Sequence, residues 1–317
     1  MRAQVAMRLL VAGCVSAVSW GTTGGIVVGQ TFRARTDTVT VSVSVTRGNV
    51  AVTGLGADDF ELLDNGVAQV VEAVTVEGVP VDVTVVYDTS PGQAGRLERL
   101  KADIRHIAAV LRPTDLLRLL IFGDNRQVVD VFGWQPASAE LGLEAITAVR
   151  ISPVNDALLI SLIHRPGVGR RHLVVALTDG RDAGSAVSAS QIRDVAERAE
   201  SVLHLVMMTN ASVSPSGGAG YFLPVGVERN GPELLREVAE LTGGRVHDRF
   251  LGSPDPVKAL KAIFDAFRAS YVLRYTPAGV ALAGWHDIQV QVPGQPTATV
   301  RARRGYSGRV EQWRHER

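Results

Sequence analysis

Hydrophobic and polar positions along this chain follow two different grammars. Residues 39–46, Val-Thr-Val-Ser-Val-Ser-Val-Thr, alternate apolar and hydroxyl side chains with period two, which marks a half-buried strand with one wet face. Arg47-Gly48-Asn49 follows as a turn, and residues 50–52 continue as a partner strand. Asn65-Gly66 separates the segments 58–64 and 67–76, and that dipeptide favours a tight hairpin turn. Residues 31–79 therefore read as a small β unit.

From Val81 the grammar changes. Apolar runs at 81–87, 116–122, 173–178 and 203–208 alternate with segments of helical period. In the first of these, Leu97, Leu100, Ile104, Ile107, Ala108 and Leu111 recur at helical spacing, and Pro113 follows its end. Further helices are expected at 140–149, 155–164, 190–201, 232–241 and 255–269, and residues 127–132 as an antiparallel partner of 116–122. Alternation of strands and helices predicts an α/β fold, a doubly wound, mainly parallel sheet with helices on both faces. Strands at 271–276, 285–292 and 297–303 close the chain. The last pair is placed to pack back on the N-terminal β unit as an accessory module. The expected organisation is a leader at 1–30, a β module at 31–79, the α/β domain at 80–276, and a hairpin with a polar tail at 277–317.

Composition narrows the function classes. The 317 residues carry 33 basic and 32 acidic side chains, a net charge of +1, so the clustered basic excess of a nucleic-acid footprint is missing. Arg2 and Arg8 precede an uncharged apolar stretch at 9–20, followed by small residues at 21–30. That order reads as an export signal, with a secreted or periplasmic mature chain that has no membrane span. The only cysteine, Cys14, lies inside the leader, so the mature chain would hold no disulfide. Val11-Ala12-Gly13-Cys14 offers the minor alternative of a lipoprotein box with Cys14 lipidated. Residues 210–230 form a long insertion rich in Ser, Gly and Pro, a surface excursion available to binding.

Candidate chemistry sits at the strand ends. The strand from Val81 ends in Asp88-Thr89-Ser90, and the strand from Leu173 ends in Thr178-Asp179-Gly180. Between them, Ser152 lies on a loop four residues ahead of Asp156. In an open parallel sheet, ligands bind outside the carboxyl ends of the strands, and strand-end carboxylates and hydroxyls suit a small, hard divalent cation. Asp82, early in its strand, is away from that edge.

The spacing and order resemble the metal-ion-dependent adhesion site of von Willebrand factor A-type domains, whose pattern is Asp-x-Ser-x-Ser, a loop Thr, then an Asp. The matching positions are Asp88, Ser90, Gly92, Ser152 and Asp179. Gly92 replaces the second serine, leaving one direct oxygen to water or to neighbours such as Thr89 and Asp182, and Ser152 keeps the hydroxyl of the threonine. Leu120-Ile121-Phe122-Gly123-Asp124 is similar to the second strand of such domains. Val52-Thr53-Gly54-Leu55, with Asp64-Asn65-Gly66, resembles the leader of a secreted bacterial, acidobacterial-type group of the family, and residues 300–306 its closing strand.

The resemblance implies protein binding or adhesion through Mg2+, with Mn2+ as a substitute. Ser90 and Ser152 would be direct ligands, and Asp88 and Asp179 would supply charge directly or through water. The partner would present an Asp or Glu carboxylate as the last ligand. The alternative is a metal-independent scaffold that binds its partner through loops. Enzyme classes find little support. No Gly-x-Ser-x-Gly elbow, His-Glu-x-x-His pair or phosphate-binding glycine loop occurs. A hydrolase built on Ser90 would need a nearby base that the sequence does not supply. The seven histidines are scattered, with no pair at metal spacing.

Overall fold

A computed structural model describes residues 38–48, 50–75, 78–89, 96–123, 127–146, 152–178, 180, 182, 184–207, 232–247 and 256–308. The leader with Cys14, the insertion at 210–230, and Ser90, Gly92 and Asp179 lie outside the described residues.

Elements run in the order β1 (Val39–Arg47), β2 (Val50–Ala51), β3 (Glu61–Asp64), β4 (Val67–Gln69), β5 (Ala73–Thr75), β6 (Val81–Tyr87) and α1 (Arg96–Val110). They continue with β7 (Leu116–Gly123), β8 (Gln127–Asp130), β9 (Gln135–Pro136), α2 (Val154–Leu162), β10 (Arg171–Thr178), α3 (Ala189–Ala196) and β11 (Val202–Met207). The chain ends with α4 (Pro232–Leu241), β12 (Arg245–His247), α5 (Pro256–Arg268), β13 (Tyr271–Tyr275), β14 (Gly284–Gln291), β15 (Thr299–Ala302) and β16 (Gly305–Gly308).

The apolar runs build a sheet in the order β12-β11-β10-β6-β7-β8, with β9 also paired to β7. β12, β11, β10, β6 and β7 are parallel, and β8 and β9 are antiparallel to β7. The chain starts in the middle at β6, winds outward through β7 and β8, then crosses back to β10 on the other side. The order therefore reverses between β6 and β10, and such a switch point opens a crevice at the carboxyl ends of the two strands.

Every residue of β6 and β10 is buried, as expected when helices cover both faces. Alternate side chains divide between two cores. Val83, Val85 and Tyr87 pack with Leu100 and Ile104 of α1 and Ile263 and Phe264 of α5. Val86, Val174 and Ala176 pack with Leu158 of α2, Ile192 of α3 and Val238 of α4. Polar residues inside this layer are paired, as burial requires. Thr84 Oγ1 meets His172 Nε2 at 2.8 Å, His172 Nδ1 meets Ser201 Oγ at 2.6 Å, and Arg170 Nε donates to Asp82 at 2.6 Å.

The period-two segment forms a β sandwich with the end of the chain. One sheet runs β15-β1-β13-β5 with β2 beside β1, and the other β16-β14-β3-β4. Val41, Val43 and Val45 of β1 enter its core with Leu62, Tyr271, Leu273, Tyr275 and Ile288. β13, which the sequence pattern attaches to the α/β domain, instead lies between β1 and β5. At Asn65-Gly66, φ values of 47° and 77° make the tight turn between β3 and β4. The helix expected at 140–149 differs more: among the described residues only a 3-10 turn at Leu143–Ala145 forms. It follows Gly142 and is pinned by Glu144, which accepts from Lys101 at 3.2 Å and Arg105 at 3.0 Å.

Candidate functional site

Asp88 follows the last residue of β6, and its backbone N–H donates to Leu177 O of β10 at 2.8 Å. This extends the β6–β10 pairing by one step and sets the carboxylate over the switch point. The side chain is fully buried. Ser152 Oγ donates to Oδ1 at 2.8 Å, and Thr178 Oγ1, at the end of β10, donates to Oδ2 at 3.0 Å. Thr178 Oγ1 in turn accepts the Gly180 N–H at 3.1 Å. Gly180 has φ 80°, a conformation that calls for glycine.

Ser152 is held by the start of α2. Its carbonyl accepts the Val154 N–H at 2.9 Å, and the helix's first turn is laced to the segment 182–187. Asn155 N–H donates to Asp182 Oδ1 at 3.0 Å, as does Ser185 Oγ at 2.6 Å. Asp156 accepts the N–H groups of Ala186 at 3.1 Å and Val187 at 3.0 Å. Acidic side chains near free N–H groups at a helix start are favoured by both hydrogen bonding and the helix dipole. The result is a loop fixed well enough to aim Ser152 at Asp88.

The structure thus brings Asp88 and Ser152 together, while Ser90, Gly92 and Asp179 lie outside the described residues. Thr178 joins them, although sequence reasoning noted it only as the residue before Asp179. A hydroxyl closing a buried strand carries no distinguishing mark until the pairing of β10 with β6 sets it beside Asp88. Asp182 works as the tie to α2, and Thr89 Oγ1 donates to Phe122 O at 3.4 Å; both are engaged in holding backbone. Asp82 sits at the opposite end of β6 and pairs with Arg170.

The described donor set consists of oxygen alone: one carboxylate and two hydroxyls that donate to it. A hydroxyl giving its proton to a carboxylate still has lone pairs to offer, so this set fits a hard cation such as Mg2+. Among the described residues no group of three or more His, Cys, Asp or Glu side chains is placed to hold a metal ion. Histidines scattered in sequence do meet in space. His204 Nδ1 lies 3.0 Å from His247 Nε2, and the rings of His164 and His172 are 4.6 Å apart. Burial, with His247 and then Arg245 and Arg301 nearby, pushes His204 down to about 3.

Neither a family model nor a curated protein matches the chain. Solved structures do. Von Willebrand factor type A from Catenulispora acidiphila is similar at 10% identity over 87% of this chain and 75% of that chain, with a TM-score of 0.43. An aerotolerance-related membrane protein from Bacteroides fragilis is similar at 17% identity over 59% of this chain and 98% of that chain, with a TM-score of 0.43. Proximal thread matrix protein 1 from the mussel byssus, with a zinc-occupied MIDAS motif, is similar at 17% identity over 43% of this chain and 37% of that chain, with a TM-score of 0.35.

Proposed function

We propose that this chain, whose α/β unit has the fold of a von Willebrand factor A-type domain, binds a protein partner through a divalent cation held at the switch point. The observation that carries the reading is the convergence of Ser152 and Thr178 on the buried Asp88 carboxylate, 2.8 and 3.0 Å away. Asp88 and Ser152, with Ser90 and Asp179 as the resemblance implies, would hold Mg2+, and Gly92 leaves one position to water. When bound, the ion supplies positive charge that a partner's Asp or Glu carboxylate can complete. Asp88 contributes charge at the base of the crevice, and the lacing of α2 to residues 182–187 keeps Ser152 in place. The role is binding rather than catalysis.

Export fits this reading, because Arg2 and Arg8 precede an apolar stretch in the leader. Among the described residues no helix is long and apolar enough to cross a membrane.

Calorimetric titration of the purified protein with MgCl2 and MnCl2, beside Asp88→Ala, tests the proposal. Saturable heat in the wild type and none in the variant supports it. Negligible heat in both transfers the function to the second reading, a metal-free scaffold that binds through its loops.

A further inference from the structure

At the opposite end of the sheet from Asp88, the amino ends of β6, β10 and β11 face the wet side of β1 across a cleft of about 570 Å3. The period-two pattern of β1 puts Thr40 and Ser42 on that side, and both line the cleft. Among the described lining residues are six arginines and two glutamates. Arg170 is paired with Asp82; the other five form no ion pair among the described residues.

Two of those five are built into the walls. Arg171, only 8% exposed, donates from Nη1 to Phe267 O at 3.0 Å and from Nη2 to Ser270 Oγ at 2.6 Å. Its guanidinium lies 4.0 Å from the centre of the Phe267 ring, and its Nε has no partner. Arg303 donates from Nε to Gly305 O at 2.6 Å, from Nη1 to Ala199 O at 3.1 Å and from Nη2 to Glu197 O at 2.7 Å. Neutral carbonyls and a hydroxyl accept these hydrogen bonds, and the carboxylate of Glu200 acts on Arg303 only through space, with no ion pair between them. Burial pushes each down to about 10, so both stay cationic at neutral pH. Arg165, Arg198 and Arg274 are exposed around the cleft, and Glu197 and Glu200 form no ion pair with any of them among the described residues.

Elsewhere in the molecule, arginines of similar burial meet carboxylates, as Arg118 meets Asp130 and Arg268 meets Asp115. A cleft in which five arginines outside any ion pair among the described residues outnumber two glutamates, in a concave site within the roughly 300–1,000 Å3 range of small-molecule pockets, is chemistry suited to an anion. We propose that this cleft binds a polyanionic small molecule that presents two or more carboxylate or phosphate groups. The charge comes from separate walls, Arg171 on β10, Arg274 on β13 and Arg303 after β15, which is why one anionic group is not enough. The hydroxyls of Thr40 and Ser42 supply neutral donors beside them.

The test uses citrate and inorganic pyrophosphate as probes, by calorimetry in chelator-free, metal-depleted buffer at fixed ionic strength. The absence of metal keeps the result separate from the switch-point reading. Variants are Arg274→Glu and Arg198→Glu; among the described residues the first side chain makes no bond to the fold, and the second donates only to Asp194 O. We expect saturable binding of at least one probe, weakened about tenfold or more by each reversal and weakened by added salt. Preference for citrate or for pyrophosphate identifies the carboxylate or the phosphate source. Absence of saturable heat with both probes, or binding equal in wild type and both variants, overturns the proposal.

Discussion

Ser152 Oγ donates to Asp88 Oδ1 at 2.8 Å, across 64 residues of sequence and from a loop that no strand pairing reaches. The bond joins the end of β6, one of the two strands that flank the switch point, to the start of α2. With Thr178 on the other oxygen, the buried carboxylate has a donor on each side. The two hydroxyls that donate to Asp88 keep lone pairs that can face a cation.

Replacing Ser152 by Ala should therefore act on stability as well as on the site. It removes one hydrogen bond to the buried Asp88 carboxylate, at a cost of about 1.5–3 kcal/mol for a bond to a charged group. Urea unfolding of Ser152→Ala, Thr178→Val and the double variant measures this. The two hydroxyls serve one carboxylate, so their effects should couple rather than add. Strict additivity would mean that the two bonds are independent and the site is not one unit.

Gly92→Ser should tighten magnesium binding, because it restores the hydroxyl found at that position in A-type domains. A gain of about tenfold corresponds to roughly 1.4 kcal/mol. Gain is more informative than loss here, since a misfolded protein loses binding but does not acquire it. Magnesium affinity unchanged in Gly92→Ser, with wild-type binding present, would remove position 92 from the ligand set.

The α/β core was legible in the sequence because burial on two faces leaves a plain trace: 81–87, 116–122 and 173–178 are mostly apolar, and their alternation with helical patterns implies a mainly parallel sheet, whereas the order of its strands came only from the pairings. Asp88 and Ser152 were legible for a different reason, as polar residues placed where an apolar strand or a helix begins or ends. Thr178 was not singled out because a threonine closing a strand is ordinary until its neighbour across the sheet is known. The partners of β13 were equally hidden. Tyr271–Tyr275 follows α5 directly, yet the alternation of β1 has no address in the sequence that says which strand it will meet. His204 and His247 likewise meet only through the parallel pairing of β11 with β12.

In the β sandwich, Asp64 is fully buried and accepts from Tyr275 OH at 2.8 Å and Tyr306 OH at 3.2 Å, with His286 Nδ1 at 2.8 Å. Burial, then hydrogen bonding with Tyr306 and Asp64, raises the Tyr275 phenol, and burial foremost raises Tyr306 to about 12. Both therefore stay protonated donors at any ordinary pH. Asp64→Ala removes the acceptor of both phenols and should cost several kcal/mol, about 1–3 for each donor left buried without it, whereas Tyr306→Phe should cost about 1 kcal/mol. Equilibrium unfolding ranks them. A smaller loss for Asp64→Ala than for Tyr306→Phe would show that the cluster does not depend on its carboxylate.

Acid sensitivity should begin well above the carboxylate range. His172 is 1% exposed and held between Thr84 and Ser201. Burial first, and then the nearby His164 and Arg118, pushes it down from 6.5 to about 3. In the unfolded chain the imidazole takes a proton below pH about 6.5, while in the fold it stays neutral until about 3. Across that window the unfolded state binds more protons, so stability rises with pH and falls on acidification, by about 1.4 kcal/mol per pH unit for this group. His204 acts in the same direction. Urea unfolding at pH 7.5, 6.5 and 5.5 should show wild-type stability holding above the upper limit and declining below it. His172→Gln keeps an amide between Thr84 and Ser201 but does not titrate, so its decline over the same interval should be shallower by about 1.4 kcal/mol per unit. Parallel declines in the two proteins would place the acid sensitivity elsewhere and show that His172 takes its proton in the folded state.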